Sequence, residues 1–152
     1  MFMYECQLMQ KDELKLVGIS YSGPAKDCFP GESIKLHERF WKRRDEIASA
    51  THTDFIVSPY YGNDQFMTYW GCLQVDSLEA VPDGMVGLRL PSQLYAIVQG
   101  KRESISDAYK AVYRWIGQKH LDREWGASCI ELFHVDDDNN QEKVELWIPV
   151  KK

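Results

Sequence analysis

The stretch Lys143-Val144-Glu145-Leu146-Trp147-Ile148-Pro149-Val150 is the most informative segment for the fold. Successive side chains of a β-strand point to opposite faces of a sheet, so a strand with one buried face shows alternation. The aliphatic residues of this stretch occupy every second position and predict a face that packs on helices. Glu145 and Trp147 are therefore predicted to lie together on the opposite face.

The preceding strand, Ser128 to Val135, is expected to form a hairpin with this one around the polar stretch 136–142. The expected register pairs Phe133 with Glu145 and Glu131 with Trp147, placing Cys129 on their face and Ile130 and Leu132 on the helix side. Two carboxylates among aromatic rings make a poor hydrophobic core. Such a face suits a flat, apolar ligand, cationic ligands included.

The chemistry of such a face depends on the solvation of its carboxylates. A carboxylate enclosed by aromatic rings is poorly solvated, which raises its pKa. A bound cation or hydrogen-bond donor offsets that cost, and the rings add cation–π attraction. The same carboxylic acid could instead serve as a general acid or base. The alternative is a solvated sheet face, because antiparallel sheets often have one wet face.

The rest of the chain reads as two similar halves, each with the order strand, helix, strand, strand. The first half covers residues 1–82 approximately and the second 83–152, with the joint at Pro82-Asp83-Gly84. Trp70 in the first half aligns with Trp147 in the second. We predict an α+β fold in one domain, 1–152, in which two pseudo-symmetric units form antiparallel sheet and bury part of their open faces against each other around a central ligand cleft.

The helices are predicted from apolar residues at helical spacing. One is expected from Glu32 to about Ala50. The clearest helix in the chain spans Ile105 to Ile116, where Tyr109 and Trp115 are assigned to the stripe that faces the core.

Charge and composition argue against several classes of protein. The chain has 18 Lys and Arg residues against 23 Asp and Glu, a formal net charge of −5, so nucleic acid is not an expected partner. The N-terminal segment lacks the features of a signal peptide, and no apolar run is long enough to span a membrane, so we expect a cytoplasmic protein. The four cysteines and four histidines are dispersed, which predicts free thiols and neither metal nor cofactor.

Five segments of the chain, taken in order, have a recognisable pattern: Val86–Pro91 (VGLRLP), Leu94–Gly100 (LYAIVQG), Ile105–Ile116, Ile130–Phe133 (IELF) and Glu145–Val150 (ELWIPV). Together they resemble the GyrI-like small-molecule-binding domains, which are also the effector-binding domains of AraC- and MerR-type regulators. The similarity covers nearly the whole chain and is strongest from Met85 onward.

This resemblance implies two strand-helix-strand-strand units around a central cleft, with Glu145 as the acid that meets the ligand. It further implies aromatic walls, for which Trp147, Phe133, Tyr69 and Trp70 are the candidates. Tyr69 and Trp70 are adjacent and face opposite ways, and we expect Trp70 to line the cleft because it aligns with Trp147.

The given sequence shows no helix-turn-helix segment before the matching region, so we expect a stand-alone member, similar to the integron-associated effector-binding type. The leading hypothesis is a binding protein for small amphipathic molecules, cationic ones among them. A second hypothesis is a hydrolase that opens electrophilic cyclopropyl rings, as some stand-alone GyrI-like proteins do, with Glu145 as its acid or base. A third is a module that binds and inhibits a larger enzyme. The oligomeric state stays open.

Overall fold

The computed structural model describes residues 4–135 and 142–152. The strands are β1 (Cys6–Lys11), β2 (Leu14–Pro24), β3 (Ala50–Gly62), β4 (Phe66–Val75), β5 (Val86–Leu90), β6 (Gln93–Lys101), β7 (Asp122–Arg123), β8 (Cys129–His134) and β9 (Lys143–Lys151). The helices are α1 (Ala25–Asp27), α2 (Ser33–Arg43) and α3 (Ile105–Gln118), with 3₁₀ turns at Arg44–Glu46 and Arg102–Ser104 and a π-type turn at Cys28–Glu32.

The predicted α+β architecture and its internal pseudo-symmetry are confirmed. The antiparallel sheet has the strand order β1-β6-β9-β8-β3-β4-β2-β5, and β7 pairs with the end of β9. The first unit is β2-α2-β3-β4 and the second is β6-α3-β8-β9. Their strands lie in mirrored order, β6-β9-β8 beside β3-β4-β2, and the two units meet where β3 pairs with β8. The halves are thus joined edge to edge in one continuous sheet.

Each half also supplies an edge strand to the other half. The first strand, β1, pairs with β6 of the second unit, and β5, which opens the second half, pairs with β2 of the first. This exchange places long-range strand pairing at both ends of the sheet. Neither half can therefore complete its own sheet alone.

The helices α2 and α3 pack on one face of the sheet through their apolar stripes. Phe40 of α2 and Val112 of α3 are fully buried in the same cluster as Leu146 and Ile148 of β9. The prediction that the aliphatic residues of β9 face the helices is confirmed. The first turns of both helices remain apart above the centre of the sheet, where they border a cavity.

The face away from the helices holds a second apolar cluster that draws on both halves. Leu16 and Cys72 of the first unit are buried with Tyr95 and Trp147 of the second. Trp147 is only 6% exposed. This face is therefore largely a core in its own right, and Trp147 belongs to it.

The predicted register of β8 against β9 is wrong by one residue. Leu132 pairs with Glu145, and Ile130 pairs with Trp147. Because side chains alternate, this shift reverses the predicted faces of the whole of β8. Glu131 and Phe133 lie on the helix side, and Ile130 and Leu132 lie with Glu145 on the other side. The stretch 136–141 that joins the two strands lies outside the described residues, and its sequence contained no signal that specified the register.

No helix in the described part of the chain is both long enough and apolar enough to cross a membrane.

Candidate ligand-binding site

A cavity of about 540 Å³ lies between α2 and α3, over strands β3, β4 and β8. Its lining comprises Phe29, Pro30, Ser33, Ile34, His37, Tyr60, Tyr69, Arg102, Ile105, Ser106, Tyr109, Tyr113, Glu131 and Phe133. The volume lies within the usual range for sites that enclose a drug-sized molecule. Most of the lining is aromatic or aliphatic, and the polar groups are few and clustered.

Glu131 is the buried acid of this cavity, with 4% of its surface exposed. The hydroxyl of Tyr69 donates a hydrogen bond of 2.8 Å to Oε1, and the hydroxyl of Tyr109 donates a short one to Oε2. The hydroxyl of Tyr60 lies 2.8 Å from that of Tyr109 and shares a hydrogen bond with it. Each carboxylate oxygen of Glu131 therefore has a phenol donor.

The position of Glu131 follows from the sheet. It lies in the middle of β8, paired with Ser58 of β3 on one side and with Leu146 of β9 on the other. Strand pairing on both sides holds its backbone at the junction of the two halves. Its alternation with Ile130 and Leu132, which enter the opposite core, points its side chain to the helices.

Burial dominates the electrostatics of the cavity. Burial raises the pKa of Glu131 above its ordinary value, although the hydrogen bonds from Tyr109 and Tyr69 and the positive charge of Arg102 act in the opposite direction. Burial also raises the pKa of Tyr69 and of Tyr109 well above the ordinary value of a phenol, so both remain protonated donors. A cation that enters the cavity would therefore stabilise the charged form of Glu131.

His37 extends this polar network on the side of α2. Its Nε2 lies 2.8 Å from Ser58 Oγ and 3.4 Å from the hydroxyl of Tyr69. Its ring packs edge to face against Phe133 with the centroids 4.9 Å apart. The network therefore runs from α2 through Tyr69 to Glu131, and it ties the helix to the sheet at the cavity floor.

Aromatic rings wall the cavity. The ring of Phe29 packs edge to face on Tyr69 and on Tyr60, with centroid distances of 5.2 and 5.8 Å. Phe29 itself is 39% exposed, and Tyr113 on α3 is also exposed. Exposed aromatic rings next to a cavity offer stacking area and cation–π contacts to a ligand that enters from solvent.

Of the six predicted ligand-binding residues, the structure brings three together in this cavity: Glu131, Phe133 and Tyr69. Glu145, Trp147 and Trp70 lie on the opposite face of the sheet. Tyr69 rather than Trp70 lines this cavity, and the expectation that Trp70 contacts the ligand stays a prediction. Glu145 and Glu131 do not share a face either, because of the shifted register of β8.

On that opposite face, the carboxylate of Glu145 is hydrogen-bonded to neighbouring side chains of the protein. The indole N–H of Trp147 donates to Glu145 Oε1 at 3.2 Å, and His134 Nε2 lies 3.3 Å from Oε2. Trp70 and Tyr95 line a separate cavity of about 290 Å³. A ligand contact of Glu145, Trp147 or Trp70 stays a prediction, and it would require a second site away from the helices.

Sequence reasoning missed the residues that the helices contribute. The helical spacing predicts Tyr109 on the core stripe of α3, and in the structure it packs against the core and also borders the cavity. A signal for it exists, because Ile105, Tyr109 and Tyr113 recur at four-residue spacing along one row of α3, and all three line the cavity. Tyr60 and His37 had no such signal, since their roles depend on the pairing of β3 with β8.

Within residues 4–135 and 142–152, no group of three or more His, Cys, Asp or Glu side chains is arranged to hold a metal ion.

Comparison with known protein families places the chain in the effector-binding class. The profile of Cass2, the integron-associated effector binding protein family, matches residues 7–150, and the chain belongs to that family. The resemblance that the sequence indicated is thereby confirmed.

Individual relatives agree with this assignment. The chain is 27% identical over 157 residues to the transcriptional regulator BrlR of Pseudomonas aeruginosa; the match covers 95% of this chain and 54% of the regulator, so the chain spans about half of its length. The structure of SAV2435 bound to tetraphenylphosphonium superposes with a TM-score of 0.75 at 20% identity, covering 97% of this chain and 94% of that one. The integron cassette protein VCH_CASS2 of Vibrio cholerae superposes with a TM-score of 0.65 at 15% identity, covering 96% and 95%. At these identities the structural likeness shows the fold.

Proposed function

We propose that this protein binds small amphipathic molecules, cationic ones among them, in the cavity between α2 and α3. Glu131 is the acid that meets the ligand, in place of Glu145. The observation that carries the proposal is the burial of Glu131 at the floor of a cavity of about 540 Å³ walled by aromatic rings. A carboxylate in such a place costs free energy unless a cation or donors compensate it.

The arrangement of donors around Glu131 supports this reading. Tyr69 and Tyr109 stabilise the charged form without neutralising it, because a phenol donates a hydrogen bond and carries no charge. A ligand cation would add the missing charge, and the rings of Phe29 and Tyr60 would enclose its apolar part. The tetraphenylphosphonium complex of SAV2435, which has the same fold, is consistent with a lipophilic cation as the ligand.

Titration with tetraphenylphosphonium tests the proposal, because this cation has no titratable group and no hydrogen-bond donor. We expect Glu131→Gln to weaken binding by roughly tenfold or more, as for the loss of a charged partner in a buried site. Glu145→Gln is the matched control on the opposite face and should leave the affinity unchanged. Calorimetry gives the affinities, and circular dichroism checks that both variants are folded.

Two outcomes would overturn the proposal. If Glu145→Gln weakened binding and Glu131→Gln did not, the ligand would occupy the opposite face of the sheet, as the family resemblance first implied for Glu145. If wild-type protein did not bind tetraphenylphosphonium or any comparable lipophilic cation, the cavity would not be a site for cations.

The same acid favours a second candidate function, hydrolysis of an electrophilic ligand. The carboxylate form of Glu131, which its raised pKa makes more basic, can accept the proton of an attacking water, and Tyr109 donates a hydrogen bond to it. In the ring opening of a cyclopropane conjugated to a carbonyl, water forms the new C–O bond and gives its proton to Glu131. The ring C–C bond breaks, its electron pair moves to the carbonyl to form an enolate, and Glu131 returns the proton to the enolate carbon. Mass spectrometry of the product tests this, with turnover lost in Glu131→Gln and retained in Glu145→Gln.

A further inference from the structure

Arg102 is a charged residue of the cavity that has no role in binding a ligand whose only charge is positive. It lies in the 3₁₀ turn that leads into α3, and its half-buried side chain lines the cavity together with Ile105 and Ser106. Its backbone N–H donates a hydrogen bond of 2.9 Å to the carbonyl oxygen of Glu142. This bond anchors the backbone of Arg102 at the end of the cavity nearest the start of α3.

Arg102 is the only lysine or arginine among the described lining residues, and Glu131 is the only carboxylate there. The remaining titratable groups of the lining are His37 and the phenols of Tyr60, Tyr69, Tyr109 and Tyr113. The positive charge of Arg102 acts on Glu131 and opposes the effect of burial on its pKa. The two charges therefore share one cavity.

The guanidinium of Arg102 makes no hydrogen bond or ion pair with any residue in the described part of the chain. Arg43 and Arg89, by contrast, are paired with Glu46 and Glu13 at 2.7 Å. Glu131 is not a direct partner of Arg102 either, and the hydrogen bonds that its two oxygens accept come from Tyr69 and Tyr109. The donors of Arg102 are thus available to a molecule in the cavity.

We propose that Arg102 forms an anion-binding subsite at the α3 end of the cavity, so that the cavity prefers amphipathic ligands with both a cationic centre and a carboxylate over ligands with the cation alone. This rests on the proposed function, since it assigns a ligand class to the same cavity. A guanidinium binds a carboxylate through two parallel hydrogen bonds, which adds direction as well as charge. A ligand with only a cation meets repulsion from Arg102 in a site of low dielectric constant.

A matched pair of dyes distinguishes a preference for ligands with both charges from binding of the cation alone. Rhodamine 6G is a cationic xanthene with an ethyl ester, and rhodamine 19 is the same molecule with a free carboxylate. Fluorescence anisotropy at neutral pH gives the affinity of each for the full chain. We expect wild-type protein to bind rhodamine 19 roughly tenfold more tightly than rhodamine 6G, as expected for one bidentate charged contact.

The variant Arg102→Gln should abolish this preference by weakening rhodamine 19 and leaving rhodamine 6G unchanged or tighter. Arg102→Lys should retain part of the preference, because the charge remains without the bidentate geometry. Arg114→Gln is the matched control, since it removes the same charge from an exposed position of α3 and should change neither affinity.

The inference is overturned if wild-type protein binds rhodamine 6G as tightly as rhodamine 19 or more tightly, or if Arg102→Gln changes both affinities by the same factor. Failure of the proposed function looks different. In that case neither dye binds to wild-type protein, or Glu131→Gln leaves the binding of rhodamine 6G unchanged.

Discussion

The hydroxyl of Tyr69 donates a hydrogen bond of 2.8 Å to Oε1 of Glu131, and the two residues come from different halves of the chain. Tyr69 belongs to β4 of the first unit and Glu131 to β8 of the second. The floor of the cavity therefore forms only when β3 and β8 pair and join the units. The proposed binding site is therefore a property of this junction.

The hydrogen bond from Tyr69 predicts how cation binding depends on pH. The charged form of Glu131 binds the cation, so the affinity for tetraphenylphosphonium should rise as pH rises through the pKa of Glu131, which lies above its ordinary value of 4.5. Tyr69→Phe removes a donor that stabilises the charged form, and the rise should shift to higher pH. Titrations over a pH series measure the shift. Tyr113→Phe, which removes a phenol with no hydrogen bond to Glu131, is the control, and an equal shift in both variants would contradict the assignment.

The burial of Glu131 also predicts a pH dependence of the free energy of unfolding. The folded-state pKa is raised, so the folded protein binds the proton more tightly than the unfolded chain does. This contribution is fully present below the pKa of the unfolded state and is lost as pH rises through the folded-state pKa. Urea denaturation of wild-type protein should show this loss, and Glu131→Gln should lack it. Glu38→Gln, at an exposed position of α2, should behave as wild type. If Glu131→Gln still lost stability as pH rose over this range, the pH dependence would belong to another group.

Trp147 is predicted to act on stability rather than on cation binding. It is 6% exposed in the core on the face away from the helices, so Trp147→Ala should lower the free energy of unfolding by about 3–5 kcal/mol. The affinity of the folded variant for tetraphenylphosphonium should be unchanged. Trp125, which is 70% exposed, is the control, and Trp125→Ala should cost less than about 1 kcal/mol. Lost affinity in a folded Trp147→Ala protein would instead place the ligand on that face.

Phe29 is predicted to contribute to affinity through its exposed ring. Its edge-to-face contacts with Tyr60 and Tyr69 place it against the cavity wall, where a ligand would cover it. Phe29→Ala should weaken tetraphenylphosphonium binding roughly two- to tenfold, the range expected for one aromatic or cation–π contact. Phe66→Ala removes a comparably exposed ring at the start of β4 and should leave the affinity unchanged. Equal affinities in the two variants would exclude Phe29 from the site.

Much of the architecture was predictable because it depends on local periodicity. Ile105 to Ile116 shows the spacing of an amphipathic helix, and the structure has α3 from Ile105 to Gln118. The alternation in β9 correctly assigned Leu146 and Ile148 to the helix face and Trp147 to the other. Alternation specifies faces within one strand, however, and does not specify how two strands align.

The register of β8 against β9 is a feature that local sequence patterns did not predict. A shift of one residue exchanged the faces of Glu131 and Ile130 while leaving each strand's own alternation intact. Glu131 sits between apolar neighbours on both sides in sequence, so either face could have been the buried one. The phenols of Tyr69 and Tyr109 donate the hydrogen bonds that stabilise the buried carboxylate on the helix side, and both are distant in sequence.

The sequence by itself determined the order of the main strands and helices, their duplication and the family, because these depend on short-range spacing and on the order of recognisable segments. The end of α2 was predicted too late, since the helix stops at Arg43 and β3 begins at Ala50. The tertiary structure decided which acid is buried, because burial of a carboxylate depends on donors that strand pairing brings from elsewhere in the chain. Glu145 and Glu131 lie in neighbouring strands with aromatic residues close by in sequence. The structure distinguishes them by face: Glu131 lies between two phenols in a cavity, and Glu145 lies beside His134 and Trp147 on the opposite side of the sheet.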